Sequence, residues 1–225
     1  MRGEVVVVDD VPGEFAERFI EAFHARVSEQ FSVALSGGDT ARRCYERLAA
    51  EGEQVDWWGV DVYWGDERCV PRESDASNER LVREALLERV GAAGNVHPMR
   101  CEDGADAYQL KVGDLGRFDL VHLGVGPDGH TASLFPGSDG MDSGEGRLVV
   151  MNQDPIGANP HERMTLTLKA INRAHLVVVT VEGEAKADAM ARIAAGEDLP
   201  PNHLEPDRLV WLLDRAAAAR LQGEG

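Results

Sequence analysis

The chain has 225 residues, 43% of them hydrophobic and 28% charged, with a formal net charge of −17. This length and composition predict one folded domain over residues 1–225, and the negative charge disfavours nucleic acid or an anionic membrane as a partner. No apolar run is long enough to span a bilayer, and the first one, at residues 5–8, does not have the form of a signal peptide, so we expect a cytoplasmic protein.

Short apolar runs alternate with helical patterns along the whole chain. Strands are predicted at residues 5–8, 31–35, 60–64, 120–125, 148–151, 164–168, 176–181 and 209–213. Alternation of strands and helices, with strands that are apolar throughout, predicts an α/β fold with a mostly parallel sheet and helices on both faces. The threonines of residues 164–168 leave an antiparallel or edge strand open at that position.

Helices are predicted from apolar residues three or four positions apart. The first apolar face consists of Phe15, Phe19, Phe23 and Val27, and the second of Leu81, Ala85, Leu86 and Val90. Pro12 lies near the start of the first helix, and Ser77 or Asn78 is expected to cap the second. Two later helices are predicted at residues 183–195 and 214–221.

The three cysteines do not form a recognisable pattern. Cys44, Cys69 and Cys101 are far apart, odd in number and without C-x-x-C spacing. We therefore expect reduced, buried thiols rather than a disulfide framework or a structural zinc site.

A glycine-rich turn joins the predicted strand at residues 31–35 to a helix. Gly37 and Gly38 would let backbone N–H groups approach an anion at the helix N-terminus, and Ser36 and Thr40 add hydroxyl groups. The alternative is a plain tight turn in which Asp39 caps the helix.

A second polar segment follows the strand at residues 60–64. Arg68 offers a planar guanidinium that suits a phosphate or a carbonyl oxygen, and ligands of open α/β sheets bind where strands end. The alternative is a surface ion pair of Arg68 with Asp66 or Glu67.

A third segment, residues 123–137, contains G-x-G-x-x-G after a strand. A dinucleotide site is rejected because the motif lies in the middle of the chain, Asp128 would face the pyrophosphate, and Pro136 stops any helix. The glycines instead display Asp128 and His130 together. A metal site is the rival interpretation, but the other histidines lack zinc spacing, so we expect no metal. The polar loop at residues 137–146 is either a surface loop or a lid.

These segments, in this order, resemble the 6-phosphogluconolactonase family over nearly the whole chain. The matching residues include Ser36-Gly37-Gly38, Asp66-Glu67-Arg68 with Ser77-Asn78, the long run from Gly124 to Gly137, Arg163 to Leu168, and Gly183 with Lys186. Two positions depart from the family pattern, since Asp39 stands where Ser or Arg is usual and Lys169 where Pro is usual.

The resemblance implies a Rossmann-like α/β fold and hydrolysis of 6-phospho-D-glucono-1,5-lactone to 6-phosphogluconate, the second step of the oxidative pentose phosphate pathway, without a cofactor. His130 is the expected base, Asp128 its orienting partner or a ligand-hydroxyl acceptor, and Arg68 a ligand of the phosphate or the oxyanion. Ser36, Gly37, Gly38, Thr40, Arg163 and Lys186 are the other expected substrate-binding residues.

Two other functions stay open. The first is a glucosamine-6-phosphate deaminase or sugar-phosphate isomerase of the same fold, although the deaminases typically have Tyr where this chain has Arg68. The second is a non-catalytic sugar-phosphate sensor, which would normally add a DNA-binding segment and a basic patch. The sequence does not indicate an oligomeric state.

Overall fold

A computed structural model describes residues 1–91, 93–142 and 146–221, and in these ranges the chain forms ten strands and seven α-helices. The strands are β1 (Glu4–Val7), β2 (Phe31–Leu35), β3 (Val60–Trp64), β4 (Asp66–Arg68), β5 (Asn95–His97), β6 (Leu120–Leu123), β7 (Val149–Asn152), β8 (Arg163–Leu166), β9 (Leu176–Val181) and β10 (Arg208–Leu213). The helices are α1 (Val11–Ala25), α2 (Asp39–Ala50), α3 (Asn78–Val82), α4 (Glu88–Val90), α5 (Gly104–Leu115), α6 (Leu168–Ile171) and α7 (Ala187–Ala194), with a π-helical turn at Arg83–Leu87.

Seven strands form one parallel sheet in the order β1-β10-β9-β6-β2-β3-β5. The strands β4, β8 and β7 form a separate antiparallel sheet in that order. The predicted α/β fold class with a mostly parallel sheet is therefore confirmed. For residues 164–168 the sequence left an antiparallel or edge strand open, and β8 is indeed antiparallel to both of its neighbours.

Helices cover both faces of the parallel sheet, as predicted. On one face α1 packs against β6, where the ring centroids of Phe15 and His122 are 4.1 Å apart. On the other face α5 packs against β3, where the ring centroids of Tyr63 and Tyr108 are 6.5 Å apart. The central strands β2, β6 and β9 are buried along their whole length, which explains why their sequences are mostly apolar and do not alternate between apolar and polar residues.

Three local predictions are wrong. Helix α1 ends at Ala25, so Val27 lies beyond it and is 97% exposed instead of completing the apolar face. Residues 214–221 form successive turns rather than a helix: the Ala218 N–H bonds the carbonyl four residues back, but the Ala219 and Leu221 N–H groups bond carbonyls three residues back.

The third correction concerns the cysteines: Cys69 and Cys101 form a disulfide, with their Cα atoms 5.5 Å apart, and Cys44 alone is a free, buried thiol. Cys69 follows β4 directly, and the fold brings it next to the short turn that begins at Cys101. Spacing along the chain cannot reveal such a contact, because 32 positions separate the two residues.

Among the described residues, no helix is both long and apolar enough to cross a membrane. The predicted loop at residues 137–146 lies partly outside the described ranges, because residues 143–145 are not among them. Its described part contains a helical turn, Asp139–Asp142, in which Gly140 is buried against Asn152. Whether the loop closes over a ligand stays a prediction.

Candidate active site

A cavity of about 480 Å³ opens where β2, β3, β6 and β9 end. The chain leaves β2 toward β3 on one side and β6 toward β9 on the other, so neighbouring β2 and β6 mark a topological switch point, where open α/β sheets bind ligands. Most of the predicted site residues line this cavity, namely Ser36, Gly37, Gly38, Thr40, Arg68, His130, Arg163 and Lys186. Asp128 is not one of the lining residues; it contacts Nδ1 of His130.

The turn between β2 and α2 forms one wall of the cavity. Gly38 is the N-cap residue of α2 and has φ +100°, a backbone conformation that favours glycine. Gly37 lies so close to Asn78 that a Cβ atom there would overlap the Asn78 side chain. These two glycines therefore let the backbone run along the cavity and direct the start of α2 toward it.

Ser36 is held by a buried hydrogen-bond network beneath the cavity. Its hydroxyl donates to the carbonyl of His122 at 2.7 Å, and its backbone N–H donates to the Tyr45 hydroxyl at 2.8 Å. The two ring nitrogens of His122 lie 2.9 Å from the Tyr45 and Thr180 hydroxyls, and burial lowers the pKa of His122 to about 3. The Ser36 hydroxyl hydrogen is thus already engaged within the chain.

The segment after β3 supplies Arg68 through β4. Nη1 of Arg68 donates to the carbonyl of Ala76 at 2.7 Å, while its buried Nε has no partner among the described residues. The carboxylate of the neighbouring Glu67 accepts hydrogen bonds from the backbone N–H groups of Arg68, Asn78 and Glu79. Burial raises the pKa of Glu67 to about 7, although these hydrogen bonds favour the ionised form. Glu67 thereby fixes the polypeptide around Arg68 without lining this cavity.

The glycine loop after β6 holds Asp128 and His130 together. Nδ1 of His130 lies 2.5 Å from Oδ1 of Asp128, and the His130 backbone N–H donates to the same oxygen at 3.2 Å. A Cβ on Gly126 would overlap both side chains, so only glycine leaves room for the pair. Ala132, two positions after His130, has φ +48° and is the only non-glycine residue with positive φ in the described chain.

The Asp128 carboxylate is held in its ionised form. Burial opposes ionisation, but the hydrogen bond and charge of His130, together with backbone N–H groups, outweigh it and lower the pKa of Asp128 to about 2. With Nδ1 bound to Asp128, the Nε2 atom of His130 has no hydrogen-bond partner among the described residues, and the ring lines the cavity. Nε2 is therefore placed to exchange a proton with a ligand or a water.

Among the described residues, four cations line the cavity, and three of them have no carboxylate partner there. Arg43 pairs with Glu182, whereas within the described ranges none of Arg68, Arg163 and Lys186 lies within 4.0 Å of a carboxylate oxygen. Burial, and then the charge of Arg68, lowers the pKa of Arg163, while burial also lowers the pKa of Lys186. Partly desolvated, unpaired cations of this kind form a site for an anionic ligand.

The interpretation of Asp39 as a helix cap is wrong. Gly38 occupies the N-cap position, and Asp39 is the first residue of α2, exposed at the cavity and without a side-chain capping bond. Its carboxylate contributes to the electrostatic environment of Lys186 and Arg43. An acidic group thus stands beside the predicted phosphate site rather than turned into a cap.

Several cavity residues were not predicted as site residues, among them Asp66, Asn78 and Asn159. Asp66, 5% exposed, accepts the Ser133 hydroxyl at 2.6 Å, and Asn78 donates to Asp66. Asn159 donates to Asp154 at 2.8 Å and lies 3.5 Å from Oδ2 of Asp128. The Asp66-Glu67-Arg68 segment was a sequence signal for Asp66, whereas no local signal marks Asn159.

The arrangement suits general-base chemistry on an anionic substrate. A histidine oriented by an ionised carboxylate can remove a proton from water, and the nearby guanidinium groups can stabilise an oxyanion or bind a phosphate. In the described part of the chain, no cluster of three or more His, Cys, Asp or Glu side chains is arranged to hold a metal ion.

Comparison with known proteins gives the family. The model of the glucosamine-6-phosphate isomerases/6-phosphogluconolactonase family matches residues 7–212. A 6-phosphogluconolactonase of Synechocystis sp. is 37% identical over 86% of this chain and 85% of its own length, and one of Mycobacterium tuberculosis is 36% identical over 91% and 92%. The structure of 6-phosphogluconolactonase from Trypanosoma cruzi has a TM-score of 0.83 and 27% identity, covering 99% of this chain and 98% of that one. The chain therefore belongs to the glucosamine-6-phosphate isomerase/6-phosphogluconolactonase family.

Proposed function

We propose that the protein hydrolyses 6-phospho-D-glucono-1,5-lactone to 6-phosphogluconate, the second step of the oxidative pentose phosphate pathway. The observation that carries this proposal is the Asp128–His130 pair, whose imidazole lines a cavity with three unpaired cations. Such a cavity suits a substrate that carries a phosphate and reacts with water at a carbonyl carbon.

In the proposed mechanism, Nε2 of His130 takes a proton from a water as its oxygen attacks the lactone carbonyl carbon. The carbonyl oxygen becomes an oxyanion, and the bond between that carbon and the ring oxygen then breaks. The imidazolium returns its proton to the ring oxygen, which leaves as a hydroxyl, and the new carboxylic acid releases a proton to solvent. Asp128 keeps the ring oriented and stabilises the imidazolium.

The substrate phosphate is bound by the backbone of Gly37 and Gly38 and by surrounding polar side chains, with Thr40 and Lys186 as contributors. Arg68 on β4 and Arg163 on β8 lie directly across from each other in the antiparallel sheet. One guanidinium or both bind the phosphate or the developing oxyanion. No cofactor takes part in this reaction.

The alternatives are less well supported. The relatives of 36–37% identity carry the name 6-phosphogluconolactonase, and Arg68 stands where the deaminases have Tyr, which disfavours deaminase or isomerase activity. A non-catalytic sensor would have no use for an oriented base beside the cavity. The cytoplasmic location stays a prediction, and the Cys69–Cys101 disulfide is of a kind more common in oxidising compartments.

The direct test is a lactonase assay with freshly made 6-phosphogluconolactone, corrected for spontaneous opening of the ring. We expect enzyme-dependent hydrolysis that the His130→Asn variant loses, and no ammonia from glucosamine 6-phosphate. Release of ammonia without lactone hydrolysis would instead identify the deaminase.

A further inference from the structure

Asn78 carries a buried hydrogen-bond acceptor that the protein itself does not satisfy. The residue is 1% exposed and lines the cavity at the start of α3. Its Oδ1 has no hydrogen-bond partner among the described residues. A buried acceptor without a partner costs about 1–3 kcal/mol, so such groups are rare in native proteins and call for an explanation.

The orientation of the Asn78 amide is fixed by its neighbour. Nδ2 donates to the backbone carbonyl of Asp66 at 2.9 Å and to Oδ1 of Asp66 at 3.2 Å. The reverse orientation would turn the amide oxygen toward these two acceptors and leave all three oxygens without donors. Oδ1 must therefore point away from Asp66.

Oδ1 points instead toward Gly37 and the wall of the cavity. A Cβ at position 37 would overlap this oxygen, which shows how closely the glycine turn and the amide approach. Asp66 is in turn held by the Ser133 hydroxyl at 2.6 Å, so the amide belongs to a rigid chain of hydrogen bonds. A rigidly held acceptor thus lies beside the glycines of the β2–α2 turn, at the wall of the cavity that Asn78 lines.

We propose that Asn78 is a specificity-determining residue whose Oδ1 accepts a hydrogen bond from a hydroxyl group of the bound sugar. The inference rests on the proposed function for the identity of the sugar. Phosphate oxygens and the lactone carbonyl are acceptors, so the hydroxyl groups are the donors that a phosphorylated sugar lactone offers. A site with a buried acceptor discriminates against an analogue that lacks the matching hydroxyl, because the acceptor then stays unpaired.

The test measures binding of 6-phosphogluconate, its monodeoxy analogues and hexyl phosphate by calorimetry. For the wild type, we expect removal of one particular hydroxyl to weaken binding roughly 2- to 12-fold, the range of one neutral hydrogen bond. Asn78→Ala should weaken 6-phosphogluconate binding by a similar factor and abolish discrimination at that hydroxyl, with hexyl phosphate binding unchanged.

Ser133→Ala is the matched control. It removes a hydrogen bond from Asp66 but leaves Oδ1 of Asn78 in place, so discrimination between the analogues should persist. Equal loss of 6-phosphogluconate and hexyl phosphate binding in Asn78→Ala would overturn the inference. So would a wild type that binds every monodeoxy analogue equally well, a measurement that needs no variant to fold.

The proposed function is tested separately by lactone hydrolysis with the wild type. Hydrolysis without hydroxyl discrimination would overturn the role of Asn78 alone. Discrimination among the analogues without hydrolysis would overturn the proposed function and leave the binding role of Asn78 standing.

Discussion

Nδ1 of His130 lies 2.5 Å from Oδ1 of Asp128, and the two residues are only two positions apart. A Cβ atom on Gly126 would overlap both side chains, so the glycine leaves room for the pair. Gly129, between the two residues in sequence, has φ +93°. The loop therefore determines which nitrogen of the imidazole is bound to the protein and which is left for the ligand. This relationship is the basis of the first two predictions.

His130→Asn should lower kcat on 6-phosphogluconolactone by about 10²–10⁴, the usual contribution of a general base. The asparagine is similar in size and can still donate to Asp128, so folding and the affinity for 6-phosphogluconate should change little. Steady-state kinetics and calorimetry measure the two effects. A variant with near-normal kcat would show that His130 is structural and that another group activates the water.

Asp128→Asn should make the stability of the protein depend differently on pH. Because the folded state lowers the pKa of Asp128 to about 2, its ionised form stabilises the fold above about pH 4, and this contribution is lost as the pH falls through 2. The variant should thus be less stable than the wild type near pH 6, by on the order of 1–2 kcal/mol. Denaturation with urea at several pH values should show the difference shrinking toward pH 2–3. A difference independent of pH would contradict the coupling.

Arg68→Ala should weaken binding of 6-phosphogluconate by roughly 1.5–3 kcal/mol, the range for a hydrogen bond to a charged group. The buried Nε without a partner indicates that this guanidinium has bonding capacity to spare for a ligand. Arg89→Ala is the control, because Arg89 forms a surface ion pair with Glu46 and does not line the cavity. Unchanged affinity in Arg68→Ala would exclude a phosphate role and leave Arg68 only the oxyanion.

Asp39→Ser should raise the affinity for 6-phosphogluconate several-fold. Asp39 is exposed at the cavity and does not cap α2, so the substitution removes a repelling charge without breaking a capping bond. Helix stability should fall only slightly, since an acid in the first turn interacts favourably with the helix dipole. Calorimetry in low salt would detect the gain. A marked loss of affinity would show that the Asp39 carboxylate contacts the ligand directly.

The bounds of strands were predicted best where a strand is buried along nearly its whole length. Strands β2, β3 and β9 have the predicted bounds, because strands buried on both faces leave a mostly apolar run, in which each of these three strands has a single interruption, at Ser32, Asp61 and Thr180. Strand β4 was missed because its three residues, Asp66–Arg68, are all polar, and α5 was missed because only Tyr108 and Val112 of its side chains are buried. Short or weakly amphipathic elements are determined by tertiary contacts that the local sequence does not contain.

The same distinction applies to the candidate site. Residues at strand ends were predicted to meet because parallel strands share one edge, and Gly37, Arg68 and His130 line one cavity. Asn78 was noted as a possible helix cap and as part of the family pattern but not as a site residue, and Ser77 provides the cap by accepting the Arg80 N–H. The position of Asn78 against Gly37 depends on how α3 packs, so its unpaired oxygen could be found only in the folded structure.

Reduction of the Cys69–Cys101 disulfide should lower the free energy of unfolding by up to about 3–4 kcal/mol, the loop-closure contribution expected for a loop of this length. Cys69 follows Arg68 directly, and its backbone N–H donates to the carbonyl of Glu162, next to Arg163. Reduction should therefore also loosen both arginines and raise KM more than it lowers kcat. Urea denaturation and kinetics with and without dithiothreitol measure both effects, and a variant with Cys69→Ser and Cys101→Ser should behave like the reduced protein and not respond to the reductant. Equal stability of the reduced and oxidised wild type would contradict a stabilising role for this bond.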